Sequence, residues 1–272
     1  MRPIAEESKT KVTAVYDAAA ATYNRVGPSF FLHFGKLLAA ESGVTRGLRI
    51  LDVATGTGAV LIPAAQLASD EGRAVGIDIS TAMIRRAQGE VEDSGLNNAT
   101  VLVADAESLP FPESSFDRVL CSFAIFLFSN LSGLLSECHR VLDSTGRIAL
   151  VYAAGEDPDW NWYEQLKSRY APAADLGTTI YSPQHVESTL KQLGFANVET
   201  RLESHSLVFS DASEFWGWSW SHGDRWVLQS LTGNHIAFKQ ELFEEVAKRT
   251  TANGLAYRVF AAITMGTKRG AG

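Results

Sequence analysis

From residue 48 onward the apolar positions switch between two periods. "LRILDVA" is a short apolar, β-rich run, "GAVLIPAAQLASDEG" has helical spacing and a glycine stop, and "RAVGIDIS" is strand-like again. Strand, helix and strand in so few residues predict a parallel βαβ unit. The alternation goes on through "STAMIRRAQGEVEDSG" (helix), "ATVLVAD" (strand), "FDRVLCSFAIF" (strand running into a loop), "LSGLLSECHRVLDSTG" (helix with a glycine end) and "RIALVYAA" (strand). Five strands with helices between them make the core of a doubly wound α/β sheet, in which ligands sit at the carboxyl ends of the strands.

The flanks extend this core. Residues 1–46 suit two or three helices, expected as a cap over the sheet's carboxyl edge, and 47–155 form the Rossmann-like core. The turn-rich, aromatic stretch 156–183 looks inserted over the site. Residues 184–209 continue the core with the serine-capped, proline-started helix of "SPQHVESTLKQLGF" and the alternating strand "NVETRLESHSLVFS". Residues 210–232 are tryptophan-rich, a lid or an interface; in them "DASE" has the form of a capping box with Asp211 as N-cap and Glu214 three residues on. Residues 233–272 supply an amphipathic helix and a last strand. The expected fold is a Rossmann-like, seven-stranded, mostly parallel sheet with an antiparallel last strand.

Composition narrows the function classes. The 272 residues are 46 % hydrophobic and 20 % charged, with a net charge of −7 and no dense basic cluster, so nucleic acid is not an expected partner. Two cysteines without CxxC spacing and six scattered histidines without HxxxH spacing predict neither a disulfide scaffold nor a structural metal. No apolar run reaches the roughly 18 residues of a membrane span. A soluble, cytoplasmic monomer or homodimer that handles a small molecule is the expectation.

The candidate chemistry lies in "ILDVATGTGAV" (50–60). A glycine turn between strand and helix aims backbone N–H groups and the positive helix end at the crevice. Gly56 and Gly58 are followed by Leu61 where a dinucleotide fingerprint has a third small residue, and no Lys-Ser or Lys-Thr pair completes a phosphate loop. Asp52, inside the first strand, would repel a phosphate and suits a cationic amine or sulfonium. Asp78, ending the second strand, stands where an acid accepts both ribose hydroxyls. A positively charged nucleoside satisfies both carboxylates. Asp52 as a turn cap, Asp78 as a helix cap, and Asp105 with Glu107 as a solvated loop are the structural alternatives, although Ser80 is the better helix cap.

With these residues the chain resembles the class I S-adenosylmethionine-dependent methyltransferases, of the ubiquinone/menaquinone-biosynthesis-like branch. The resemblance covers roughly 45–155 and rests on "ILDVATGTGAV", "GIDISTAMI", "VADAESLPFPESSFDRVLCSFAIF" and "ECHRVLDSTGRIAL". It implies that Asp52, Ala54, Gly56 and Gly58 line the methionine end of the cofactor, that Thr55 between them also binds the cofactor, that Asp78 holds the ribose, and that Ile79 and Met83 pack on the adenine. It further implies Asp105 and Ala106 at the adenine edge, Ser122 and Phe123 near the sulfonium, and Tyr16 and Tyr23 closing the site.

The acceptor is less legible. DNA-amine and glutamine methyltransferases carry [DNS]PP[YF] after the fourth strand, whereas this chain has "CSFAIF", which points to a small, partly apolar aromatic of natural-product or quinone type. Phe30, Phe126, Trp160, Tyr181, Trp216 and Trp220 are the expected acceptor contacts; core packing or a dimer contact is the competing reading of the tryptophans, with Trp216 and Trp220 on one helical face and Trp218 pointing elsewhere. His33 and His222 are the candidate general bases, because an imidazole titrates near neutrality. His139 and His185 read as surface or structural. An enzyme of the same fold that uses the bound cofactor for another reaction, such as a cyclisation, and a non-catalytic partner protein are the alternatives.

Overall fold

The computed structural model describes residues 4–172 and 180–269; residues 173–179 of the expected insertion, and the ends 1–3 and 270–272 of the expected first and last segments, lie outside the described residues. In chain order the elements are α1 (Ile4–Ala19), α2 (Phe30–Glu41), β1 (Arg49–Val53), α3 (Leu61–Ala68), β2 (Arg73–Asp78), α4 (Thr81–Asp93), β3 (Ala99–Val103), β4 (Phe116–Ser122), α5 (Leu131–Val141), β5 (Leu142–Gly155), α6 (Asn161–Tyr170), α7 (Pro183–Gln192), β6 (Phe195–Phe209), α8 (Ala212–Trp220), α9 (Arg225–Gln229), α10 (His235–Arg249) and β7 (Leu255–Lys268). The strands form one seven-stranded sheet in the order β3-β2-β1-β4-β5-β7-β6, mostly parallel with an antiparallel last strand, which is the expected fold.

The chain divides into two compact units. The sheet unit comprises Phe31–Ala154, Thr178–Glu203 and Ala261–Gly272; the aromatic unit comprises Met1–Phe30, Gly155–Gly177 and Ser204–Phe260.

In the sheet unit β1 is buried along four of its five residues, as befits a central parallel strand covered on both faces. Asp52 lies opposite Gly76 of β2 and Leu120 of β4, and Asp78 opposite Val103 of β3, so the carboxyl ends of four strands come into register. Leu51, Val53, Ile77, Val119 and Leu150 are buried in the hydrophobic core. Ser80 caps α4, its hydroxyl accepting the Met83 N–H at 3.0 Å, and Ser182 caps α7 with Pro183 in the first turn. The end of α2 is tied to β4 by Arg118, whose guanidinium donates to the carbonyls of Ser42 at 2.9 Å and Gly43 at 3.0 Å.

One boundary differs from the pattern. The helix in "LSGLLSECHRVLDSTG" ends at Val141, short of its glycine, and Leu142 already pairs with Phe116 of β4. The next paired residue on β5 is Arg147, opposite Arg118, so "DSTG" is a strand irregularity rather than a helix end. Lys268 of β7 satisfies carbonyls at this helix end, donating to those of His139 and Leu142 at 2.8 Å each.

The aromatic unit is built around rings. Trp160, Tyr163, Phe209, Phe215, Trp218 and Phe238 are buried, and α10 packs on α6 and α8 while α1 packs on α9. The cap of α8 forms as the sequence predicts, with Asp211 Oδ1 accepting from Ser213 and Glu214; Glu214 in turn accepts from the Ser210 N–H at 2.6 Å. Arg258 closes the unit, pairing with Asp157 at 3.0 Å and Asp159 at 3.1 Å. Among the described residues no helix is long and apolar enough to cross a membrane.

Candidate active site

The turn after β1 is held by its own side chains. Ala54, Gly56 and Gly58 all adopt positive φ, at 55°, 54° and 89°; for alanine this is a strained, left-handed conformation of the kind that concentrates at functional sites. Thr55 fastens the turn to its neighbours, its N–H donating to the Ile77 carbonyl at 2.8 Å and its hydroxyl to Asp52 Oδ2 at 2.6 Å. Gly76 makes room for that threonine, since a Cβ there would lie 2.8 Å from Thr55 Oγ1. On the other side Gly35 of α2 meets the turn so closely that a Cβ would stand 2.2 Å from the Ala59 carbonyl oxygen.

Asp52 is buried, and burial pushes its carboxyl up to about 7 against the lowering effect of the Thr55 hydroxyl and the Leu61 N–H; nearby Asp78 pushes in the same direction as burial. Asp78 is partly exposed. Its two oxygens accept from the Gly56 N–H at 3.0 Å and the Ser80 N–H at 2.9 Å, so the carboxylate ties the turn to the start of α4. The two acidic residues thus hold the turn as well as charging it. Ile79 is half-buried and Met83 buried at the head of α4. Asp105 accepts the Glu107 N–H at 2.9 Å in the turn after β3, and Ala106 packs into the core.

At the end of β4 the Ser122 hydroxyl is buried with no hydrogen-bonding partner among the described residues. Phe123 follows with φ of 49°, its N–H donating to the Val151 carbonyl and its ring set edge-on to Phe31 and Phe34 of α2. A strained aromatic beside an orphan hydroxyl, at the carboxyl edge of a parallel sheet, has the marks of a ligand site. Phe126 is half-buried in the short turn 125–127, and the Tyr181 hydroxyl braces that segment by donating to the Phe128 carbonyl at 2.7 Å. Tyr181 also stacks on His185, which is exposed as its structural reading predicts; His139 lies edge-on to Phe195. His33 is on the exposed side of α2, edge-on to Phe34.

Other expected residues lie in the aromatic unit. Tyr16 and Tyr23 are half-buried, their rings 6.1 Å apart, and Phe30 is buried 6.3 Å from Trp218. Trp160 is an interior residue: its ring lies among Trp162, Tyr163, Phe215 and Tyr257, and its indole N–H is taken by the Ala256 carbonyl at 2.8 Å. Trp216 and Trp220 do share a helical face, 5.9 Å apart. They pack on α10, Trp216 beside Phe238 and Lys239 and Trp220 on His235, while Trp218 points into the core. His222 is poorly suited to be a base, because burial pushes its pKa down to about 4. Sequence reasoning missed its neighbours: Tyr163 donates to Asp224 at 3.3 Å, and Lys167 reaches Glu164 at 2.6 Å and Asp224 at 3.7 Å. The one-turn spacing of Tyr163 and Lys167 was visible, but nothing local says that Asp224 comes to meet them.

Comparison with known proteins decides what the turn belongs to. Residues 50–146 match the methyltransferase domain family. Over 153 residues the chain is 39 % identical to the aklanonic acid methyltransferase DauC of Streptomyces sp. (strain C5), covering 55 % of this chain and 70 % of that protein. Over 233 residues it is 31 % identical to the nocamycin O-methyltransferase of Saccharothrix syringae, covering 79 % and 83 % respectively. The chain belongs to the S-adenosylmethionine-dependent methyltransferases. The methyltransferase's fold is similar to that of the YcgJ protein from Bacillus subtilis, with a TM-score of 0.61 at 18 % identity over 88 % of this chain and all of that one.

The residues present in this methyltransferase fit the family's donor, S-adenosylmethionine. The turn is a cradle without side chains at Gly56 and Gly58, two carboxylates suit a cationic nucleoside, and the orphan Ser122 hydroxyl lacks only a partner. When bound, the donor supplies a methyl group on a sulfonium, which an acceptor atom attacks as the S–CH3 bond breaks to leave a neutral thioether.

Proposed function

We propose that this methyltransferase methylates a small aromatic acceptor of natural-product or quinone type. Two relatives that it matches over most of their length are named for work on aklanonic acid and nocamycin. The net charge of −7 and "CSFAIF" after β4, in place of an amide-binding sequence, support a small and partly apolar acceptor over nucleic acid. The observation that carries the donor half of the reading is the linkage of Asp52, Thr55, Gly56 and Asp78 in one hydrogen-bonded turn.

In this reading Asp78, fixed in place by two N–H groups, accepts the ribose hydroxyls. Ile79 and Met83 flank the adenine, Asp105 and Ala106 meet its edge, and Asp52 faces the cationic methionine end. Ser122 and Phe123 stand by the sulfur. Phe126 and Tyr181 contact the acceptor from the turn that Tyr181 braces, and exposed His33 takes the proton that the acceptor releases. The enzyme's work is to align the acceptor and exclude water, since the methyl group arrives activated.

Transfer of label from methyl-labelled S-adenosylmethionine to a panel of hydroxyquinones, phenols, aromatic carboxylic acids and aromatic amines tests the reading. Label in at least one aromatic oxygen or carbon acceptor is the expected result. Tight donor binding with no label in any acceptor would overturn it in favour of another reaction of the same fold.

A further inference from the structure

His222 is held in one orientation and one tautomer. Its ring lies 3.9 Å from that of Trp218, nearly perpendicular to it, and Trp218 is itself fixed by donating its indole N–H to the Pro28 carbonyl at 2.9 Å. His222 Nδ1 accepts the Asp224 N–H at 3.3 Å, so in the neutral ring the proton sits on Nε2. Burial keeps the ring neutral. His222 is only 8 % exposed, yet its Nε2–H has no acceptor among the described residues. A buried donor left unpaired is costly, and such a group in a packed interior calls for an explanation.

The surroundings say what kind of acceptor would complete it. Among the described residues of the aromatic unit, the unpartnered buried side-chain nitrogens are all donors: Trp162 Nε1, His222 Nε2, Arg225 Nε and Trp226 Nε1. The charges that act on His222 are one carboxylate, Asp224, and one ammonium, Lys167, which oppose each other and favour a neutral acceptor over an ion. Next to the histidine, Gly223 presents no side chain, and a Cβ placed there would meet, among the described residues other than its chain neighbours, the hydroxyl tip of Tyr16 at 3.7 Å. The neighbouring surface is aromatic, with Trp218 also meeting Tyr257 edge-on, ring centroids 5.9 Å apart.

We propose that the Nε2–H of His222 donates a hydrogen bond to the neutral carbonyl oxygen of a flat aromatic ketone or quinone bound in the aromatic unit. His222 is then a ligand-binding donor, and the backbone of Asp224 and the ring of Trp218 are what position it. The proposal rests on the methyltransferase reading only for the aromatic character of the ligand.

Direct binding separates the two. Calorimetry compares 2-acetylnaphthalene with 2-ethylnaphthalene, which has the same shape without the carbonyl, on the wild-type chain and on His222→Phe and His222→Gln. The wild type should prefer the ketone by about tenfold, the worth of one well-formed hydrogen bond. His222→Phe should bring the ratio near one, and His222→Gln, which keeps an N–H, should retain part of the preference. In chain labelled with ¹⁵N-histidine, the His222 Nε2–H resonance should move on adding the ketone and stay put on adding the hydrocarbon.

A wild-type ratio of one, no binding of either compound, or a preference that survives in His222→Phe overturns the proposal. If His222→Phe fails to bind S-adenosylhomocysteine or to melt cooperatively, the wild-type ratio, His222→Gln and the Nε2–H resonance decide, and an unmoved resonance counts against it. None of these readouts needs methyl transfer. A failed acceptor panel would sink the functional reading, whereas the hydrogen bond from His222 is decided by these binding readouts.

Discussion

The Thr55 hydroxyl donates a 2.6 Å hydrogen bond to Oδ2 of Asp52, and both side chains are buried beneath the glycine turn. The bond stabilises the ionised form of Asp52, but burial outweighs it and the carboxyl titrates at about 7. Between about pH 4 and pH 7 the folded chain therefore holds a proton that the unfolded chain has lost. Folding stability contributed by this group falls as pH rises through that window and levels off above it. Asp52→Asn, which keeps an oxygen for Thr55, should gain on the order of 2–4 kcal/mol of stability over wild type at pH 8 and little at pH 4. Urea unfolding at the two pH values measures this; equal differences would contradict the assignment.

The same carboxyl links donor binding to pH. A cation beside Asp52 favours its ionised form, so binding expels the proton and affinity should tighten roughly tenfold between pH 6 and pH 8. Calorimetry with S-adenosylmethionine in buffers of different ionisation enthalpy would register the released proton. In Asp52→Asn the pH dependence should flatten.

Gly35 and Ala59 supply a purely steric test. A Cβ on Gly35 would stand 2.2 Å from the Ala59 carbonyl oxygen, a backbone atom that cannot rotate away. Gly35→Ala should lose roughly 1–3 kcal/mol despite alanine's better helix propensity, and should weaken donor binding by shifting the turn. A melting temperature at or above wild type would show that α2 does not rest on the turn as described.

Much of this site is legible in the sequence because it is local. "ILDVATGTGAV" and "GIDIS" each put an acid at or beside the end of a strand, the first followed by glycines whose φ is positive, and the αβ alternation marks both as parts of a parallel sheet. Ser80, Ser182 and Asp211 announce helix starts through contacts two or three residues away. What stays hidden is set by tertiary pairing. The helix end at Val141 comes from the pairing of Leu142 with Phe116 of β4 and is capped by Lys268, more than a hundred residues on, and "DSTG" has the chemistry of a turn either way. Nothing local distinguishes Trp160, whose indole is claimed by Ala256, from a tryptophan at a ligand site.

The tryptophans should behave differently from one another. Trp160 is buried with its N–H paired, so Trp160→Ala should cost roughly 3–5 kcal/mol. Trp220 is half-buried between His235 and the Arg225 guanidinium, where a partly exposed cation–π contact is worth about 1 kcal/mol, and Trp220→Ala should cost little more than that. Denaturant midpoints of the two variants check the contrast. A large loss at Trp220 with none at Trp160 would invert the packing described for the aromatic unit.

The most direct test of the central claim follows label from S-adenosylmethionine into an aromatic acceptor with wild type and Asp78→Ala side by side, at a donor concentration below the wild-type dissociation constant. The account predicts labelled product from the wild type. In Asp78→Ala, whose donor binding should weaken by roughly 1–3 kcal/mol, it predicts a rate lower by about ten- to a hundredfold that recovers as donor is raised. Equal rates in the two proteins, with equal donor affinity, would contradict it.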